Sequence, residues 1–170
     1  MLATNPACTV RAAIESDAAD MVDILERVAS ERIYTAINKP WTADEQRRYL
    51  ASQSEREAVH VAEIAPGNLI GYQVLELWAP SIASMSHAGQ IGTYLRPEWR
   101  GKGVGQALFQ RTIEFARERD YAKFVIQVRA SNTLAEAYYG RLGFRECGRL
   151  TRQVRIDGQE DDEIIMEFFL

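Results

Sequence analysis

Tyr94-Leu-Arg-Pro-Glu-Trp-Arg-Gly-Lys-Gly-Val-Gly105 decides how this chain is read: an apolar strand end, a proline, three alternating glycines, then a strong helix. A helix start leaves its first backbone N–H groups without partners and carries partial positive charge, so an anion placed there is stabilised. Gly101, Gly103 and Gly105 permit positive φ and remove the bulk that would hold a phosphate off the backbone amides. Arg100 and Lys102 add cationic partners. The stretch predicts a cradle for a pyrophosphate; a plain strand-to-helix turn is the other reading of the loop taken alone.

Spacing separates this loop from two better-known phosphate loops. A nucleoside triphosphate loop needs Lys followed by Ser or Thr to hold magnesium, and Lys102 is followed by Gly103. A dinucleotide fingerprint needs a third glycine where Gln106 or Leu108 stands, and no long βαβ unit frames either register. What remains is Arg-x-x-Gly-x-Gly, from Arg100 to Gly105.

Working outward, Gly89 to Leu95 reads as the strand feeding the loop, with Pro97 barring its extension. In the helix after it, Val104, Ala107, Leu108 and Phe115 fall near one stripe, with Gln110, Arg111, Glu114, Arg117 and Glu118 facing away. Upstream, Thr9–Ile14 reads as a strand and Glu15-Ser-Asp17 opens a helix carrying Met21, Ile24, Leu25 and Val28. Thr42 and Glu45 make the capping box of a second helix to about Gln53. Strands 59–64 and 69–78 flank Pro66-Gly67-Asn68 as a hairpin. Downstream come a strand over Phe124–Val128, a helix capped by Asn132 or Thr133 (the latter boxed with Glu136) and ending at Gly143, and a hairpin around Asp157-Gly158. The acidic run from Gln159 to Glu163 reads as a solvated loop. This order predicts a single α+β domain over residues 1–170, mixed in its α/β layering, with helices on a largely antiparallel sheet.

Composition narrows the function classes. With 46% hydrophobic and 26% charged residues and no long apolar run, the 170-residue chain reads as globular and not membrane-spanning. A net charge of −4 with scattered arginines argues against a nucleic-acid face. The N-terminus shows no secretory signal pattern, so the expectation is a cytoplasmic protein. Cys8 and Cys147 form no disulfide framework or paired metal spacing and read as small apolar residues.

A second block, Asn132-x-x-Ala135-x-x-x-Tyr139-x-x-x-Gly143-Phe144, lies about one strand downstream of the loop. Together the two blocks resemble the GCN5-related N-acetyltransferase superfamily (GNAT), and Val10–Asp17 is similar to that family's first strand and helix. The C-terminal hairpin with Glu163–Met166 resembles the ending of bacterial amino-acid or small-amine acetyltransferases. The resemblance implies a central twisted sheet of about six to seven strands flanked by about four helices. It also implies acetyl-CoA as co-substrate, no metal, and direct acetyl transfer to a primary amine of a small molecule. In the family, loop amides hold the coenzyme's pyrophosphate, which assigns Arg100, Gly101, Lys102, Gly103, Val104 and Gly105 to the cofactor.

By the same resemblance a backbone N–H at Leu95, within one residue, faces the thioester oxygen, and Tyr139 donates to the departing sulfur. Asn132 caps the helix, hydrogen-bonds the pantetheine arm, or does both. Tyr138 belongs with the coenzyme contacts but competes with Tyr139 for the catalytic role, while Tyr139 also reads as a core aromatic. Arg141 reaches the coenzyme phosphates or stays a solvated charge. An attacking amine with a pKa near ~10 must lose a proton, and Glu63, Glu76, His87, Glu98 or a water chain are the candidate bases. His60, inside a strand, reads as packed. Tyr34 and Trp41 line the acceptor pocket or fill the core. Acceptors in a protein, at N-terminal or lysine amines, are the second reading. A non-catalytic acyl-CoA sensor and an unrelated phosphate-binding domain are two more, and exposed C-terminal strands fit a homodimer.

Overall fold

The computed structural model describes residues 8–170; the N-terminal residues 1–7, where the signal was sought, lie outside the described residues. Seven strands form one sheet in the order β1-β2-β3-β4-β5-β7-β6. They are β1 (Thr9–Ala12), β2 (Ala58–Glu63), β3 (Leu69–Leu77), β4 (Ala88–Leu95), β5 (Lys123–Arg129), β6 (Arg145–Ile156) and β7 (Gln159–Phe169). Neighbours run antiparallel except β4 and β5. The helices are α1 (Ala18–Ser30), α2 (Ala43–Ala51), α3 (Val104–Arg117) and α4 (Thr133–Leu142).

The parallel pair positions everything that follows. β4 and β5 pair only at Ala88↔Lys123, Gly89↔Phe124 and Gln90↔Val125, while β4 stays paired with β3 as far as Gly71↔Leu95. Past Gln90 the strands part and leave a wedge. Strand alternation then sorts side chains by face. Tyr72 of β3 packs with Met21 and Ile24 of α1 on one face. On the other, Leu75 and Ile91 join Phe109 and Ile113 of α3, Phe124 and Ile126 of β5, and Tyr139 of α4.

Several local readings shift in the folded chain. β1 stops at Ala12, and Ile14 leads into a short 3₁₀ turn at Glu15–Asp17, whose last carboxylate takes both terminal nitrogens of Arg11 at 2.7 and 2.9 Å. The second helix ends at Ala51. The buried stripe of α3 is Val104, Leu108, Phe109, Thr112, Ile113 and Ala116, which leaves Ala107 and Phe115 half-buried at its margin. Asn132, not Thr133, caps α4, its Oδ1 accepting from the Ala135 N–H at 3.1 Å. The acidic run is the start of β7 and not a loop: Asp161 pairs with Arg129 at 2.9 Å and Glu163 is 9% exposed. Packing against partners that arrive from distant sequence overrides its hydrophilic composition. Asp157 and Gly158 both have positive φ, as a tight two-residue hairpin requires. Cys147 is exposed rather than packed, and Cys8 sits against the Val104 cluster.

Candidate active site at the strand wedge

The wedge exposes backbone groups of one parity. Trp78 N–H donates to Ala88 O at 3.1 Å and Arg96 N–H to Ile70 O at 3.0 Å, which turns the even-numbered amides of β4 toward β3. The odd-numbered amides of Ile91, Thr93 and Leu95 therefore face the gap where β5 has splayed away. Leu95 N–H lies on the side expected for an oxyanion donor, while its side chain packs with Val104 and Trp99.

The glycine loop closes the end of the wedge. Pro97–Trp99 forms one 3₁₀ turn, and Gly101 and Gly103 both lie at positive φ, at 71° and 83°. Gly103 is the N-cap of α3 and offers no side-chain acceptor, so the first-turn N–H groups of that helix remain available to an anion. Val104 is fully buried and can contribute only its backbone. Gly105 has a different reason to be glycine. Its φ is not positive; a Cβ there would stand 2.8 Å from the Tyr138 hydroxyl, so glycine lets α4 lie against the start of α3. That hydroxyl is buried with no partner among the described residues, beside the unfilled N–H groups of α3, and burial pushes its pKa well above the phenol range. An orphaned donor beside an anion cradle fits a coenzyme arm running between them.

The two expected loop cations diverge. Arg100 does not reach into the cradle: it grips Glu31 at 2.8 and 2.6 Å and lies 4.1 Å above the centre of the Tyr34 ring. It ties the loop to the connection between α1 and α2. Lys102 is exposed over Trp99, and Arg141 is exposed in the last turn of α4. The connection carrying Tyr34 is held from β5 and α4 as well: Arg129 donates to the carbonyls of Arg32 and Thr35, and Asn132 Nδ2 lies 3.4 Å from Tyr34 O.

Tyr139 is buried at 7% exposure, its ring packed on Phe144 and its hydroxyl 3.0 Å from Thr93 Oγ1. It is both a core aromatic and a hydroxyl aimed at β4. Burial raises its pKa to about 12, with the Thr93 hydrogen bond pulling the other way, so at neutral pH the phenol keeps its proton. Thr93 also receives the Gln73 amide nitrogen at 2.7 Å.

The opposite face of the sheet carries Tyr94, Glu76, Tyr49 and Trp41. Tyr94 folds its ring over Gly92, whose Cβ position lies 3.3 Å from the Tyr94 hydroxyl. Glu76 shares that face and accepts from the Tyr49 hydroxyl at 2.6 Å. Trp41 is 45% exposed and packs its ring 5.1 Å from Tyr49, and together with Glu45, Arg48 and Ser52 they line a cavity of about 370 Å³. Counting along the parallel strands from Gln90↔Val125 sets Arg129 level with Tyr94 across the wedge, and Glu163 pairs with Arg129. Glu163 accepts from Gln127 Nε2 at 3.3 Å, and burial pushes its carboxyl above the usual range.

The other candidate bases lie elsewhere. Glu63 is bound by Arg11 at 3.1 and 2.9 Å on the far edge of the sheet. His87 precedes the paired end of β4, where its carbonyl accepts from Ala122, and Glu98 sits in the 3₁₀ turn before the cradle. His60 is packed, 1% exposed and bonded to Thr112 at 3.0 Å. Sequence reading missed Thr93, Gln73, Tyr94, Tyr49 and Glu163; for Glu163 the one available signal was its position at the head of the apolar run Ile164–Met166 after the Asp157-Gly158 turn. Among the described residues, no group of three or more His, Cys, Asp or Glu side chains could hold a metal, and no helix is long and apolar enough to cross a membrane.

Known proteins share this fold. A candidate phosphinothricin acetyltransferase of Bacillus subtilis is 24% identical over 154 residues, covering 91% of this chain and 94% of the relative. A candidate ribosomal protein bS18-alanine N-acetyltransferase of the same organism is 27% identical over 128 residues, 75% of this chain and 78% of the relative. The crystal structure of a phosphinothricin acetyltransferase from Sinorhizobium meliloti in complex with acetyl-CoA superposes with a TM-score of 0.87 at 21% identity, over 96% of this chain and 89% of that one. The pattern of the acetyltransferase (GNAT) family matches residues 22–144. Because that match begins inside α1 and ends at Phe144, it takes in both sides of the wedge, and the chain belongs to the GNAT family of acetyl-CoA-dependent N-acetyltransferases.

Proposed function

We propose that the protein transfers the acetyl group of acetyl-CoA to the primary amine of a small molecule of the amino-acid or amine class. The observation that carries the reading is the wedge itself: Leu95 N–H on one wall, the Tyr139 phenol beside it, and the cradle of Gly101 to Gly105 at its end. The backbone of the cradle holds the pyrophosphate, Lys102 and Arg141 add solvent-side charge, and Asn132 and Tyr138 flank the pantetheine arm. Arg100 acts indirectly, by fixing the loop against Glu31.

In the reaction the amine nitrogen attacks the thioester carbon and negative charge grows on the carbonyl oxygen, which Leu95 N–H stabilises. The carbon–sulfur bond breaks, its electron pair goes to sulfur, and Tyr139 donates the proton that sulfur takes up. The amine's own proton goes to a carboxylate on the acceptor face. Glu163 fits that role better than Glu76: its basicity is raised by burial, and Arg129 spends its ion pair on Asp161, whereas Glu76 is already bonded to Tyr49.

The relative aligned over nearly its whole length is named for a small acceptor, which supports that acceptor class. Two free thiols suit a reducing, cytoplasmic setting, and the net charge of −4 suits no nucleic-acid partner. β6, one of the two edge strands, offers an unpaired side for a homodimer, which light scattering would detect. The deciding experiment is release of free coenzyme A thiol from acetyl-CoA across a panel of amino acids, amines and N-terminal peptides. Release with small amines is expected. Release with peptides alone would move the acceptor class, and tight coenzyme binding without release on any amine would favour the sensor.

A further inference from the structure

We propose that Thr93 and Gln73 are positioning residues for the Tyr139 phenol, a polarised chain that holds the hydroxyl beside the departing sulfur and stabilises the oxygen that loses its proton. This rests on the reading of Tyr139 as the proton donor.

Donor and acceptor counting orders the chain. Gln73 is fully buried on β3, and its amide nitrogen lies 2.7 Å from Thr93 Oγ1. An amide nitrogen only donates, so one lone pair of the Thr93 oxygen is taken. The second lone pair faces the Tyr139 hydroxyl at 3.0 Å. At rest Tyr139 donates into the second lone pair of Thr93. When the carbon–sulfur bond breaks, the phenolic proton moves to sulfur, the phenolate oxygen accepts from the Thr93 hydroxyl, and a proton from water later restores the phenol.

Two further observations point the same way. The amide is costly where it stands: among the described residues Gln73 Oε1 is buried without a partner. Burial holds the phenol near 12, above a thiol's ordinary ~8.5, so donation to the thiolate is uphill and any bond that favours phenolate helps. The Thr93 bond is the influence that lowers it.

The test uses the whole chain, with acetyl-CoA and an amine from the panel. Thr93→Val is expected to lower kcat about tenfold, the equivalent of one pKa unit, with the KM for acetyl-CoA unchanged. Thr93→Ser restores most of the rate, and Gln73→Leu gives a smaller loss. In a Tyr139→Phe background Thr93→Val has no further effect, whereas a merely structural role would carry through. An acceptor-free readout accompanies it: with tyrosine labelled at Cζ, the NMR resonance lost in Tyr139→Phe is expected to move in Thr93→Val and in Gln73→Leu. The proposal is overturned by full turnover in Thr93→Val, by a loss of equal size in the Tyr139→Phe background, or by an unmoved Cζ resonance. Full turnover in Tyr139→Phe would instead remove the donor reading, and the resonance would still report the bond.

Discussion

Tyr139 carries two roles that pull its substitution in different directions. Its ring is part of the core with Phe144, which a phenylalanine would preserve, and its hydroxyl is the group aimed at β4. Tyr139→Phe is therefore expected to keep the melting temperature within a few degrees and the KM for acetyl-CoA unchanged. Steady-state kinetics should show kcat reduced on the order of 10²-fold, the size of a lost general acid. Glu163 makes a prediction with a sign in pH. Burial raises its pKa and the proposed base acts when deprotonated, so activity should rise as pH climbs through a value above the ordinary carboxylate's. In a profile of kcat/KM, Glu163→Gln should remove that acid limb and lower the plateau about 10²-fold. Tyr139 was legible from its offset to Asn132 within one helix. Glu163, Thr93 and Gln73 were not, because their partners arrive across strands: Gln73 and Thr93 meet only once β3 and β4 pair.

At the scale of elements, the start of α3 meets α4 through an atom-sized gap. Gly105→Ala would put a methyl group where the Tyr138 hydroxyl lies, 2.8 Å away. Overpacking of that kind costs about 1–3 kcal/mol. Because the strain falls on the coenzyme side, the KM for acetyl-CoA should rise about tenfold with kcat at saturation nearly unchanged, as calorimetric titration and initial rates would check. The loop-helix unit was readable beforehand because its signals are local: a proline ending the strand, Gly103 at the cap, an apolar stripe after it. The side-chain assignment of Arg100 was not, since its partner Glu31 is 69 residues away and only the folded sheet brings α1 to the loop. The acidic start of β7 failed for the same reason, as Arg129 supplies the charge that composition could not anticipate.

For the molecule as a whole, one buried histidine sets a pH dependence of stability. Burial lowers His60 to about 4 from 6.5, so between those values the unfolded chain binds a proton that the folded chain refuses. The contribution is present above pH 6.5 and is lost as pH falls through that window, about 3 kcal/mol by pH 4. Urea unfolding should show that slope and a flatter one in His60→Gln. The α+β class and the four helices were readable, whereas the strand order and the depth of the β4–β5 pairing were not, since nothing in either strand announces where a parallel ladder stops. That stopping point has a thermal consequence. With just three rungs joining the strands, the amides of Thr93 and Leu95 have no ladder partner and should exchange with deuterium rapidly in the free protein. On the proposed reading acetyl-CoA occupies the wedge and completes the interrupted ladder, so at a hundred times its Kd it should slow that exchange and add about 2.7 kcal/mol to the unfolding free energy. The opening that admits the substrate is thus also the place where the enzyme gains its rigidity from it.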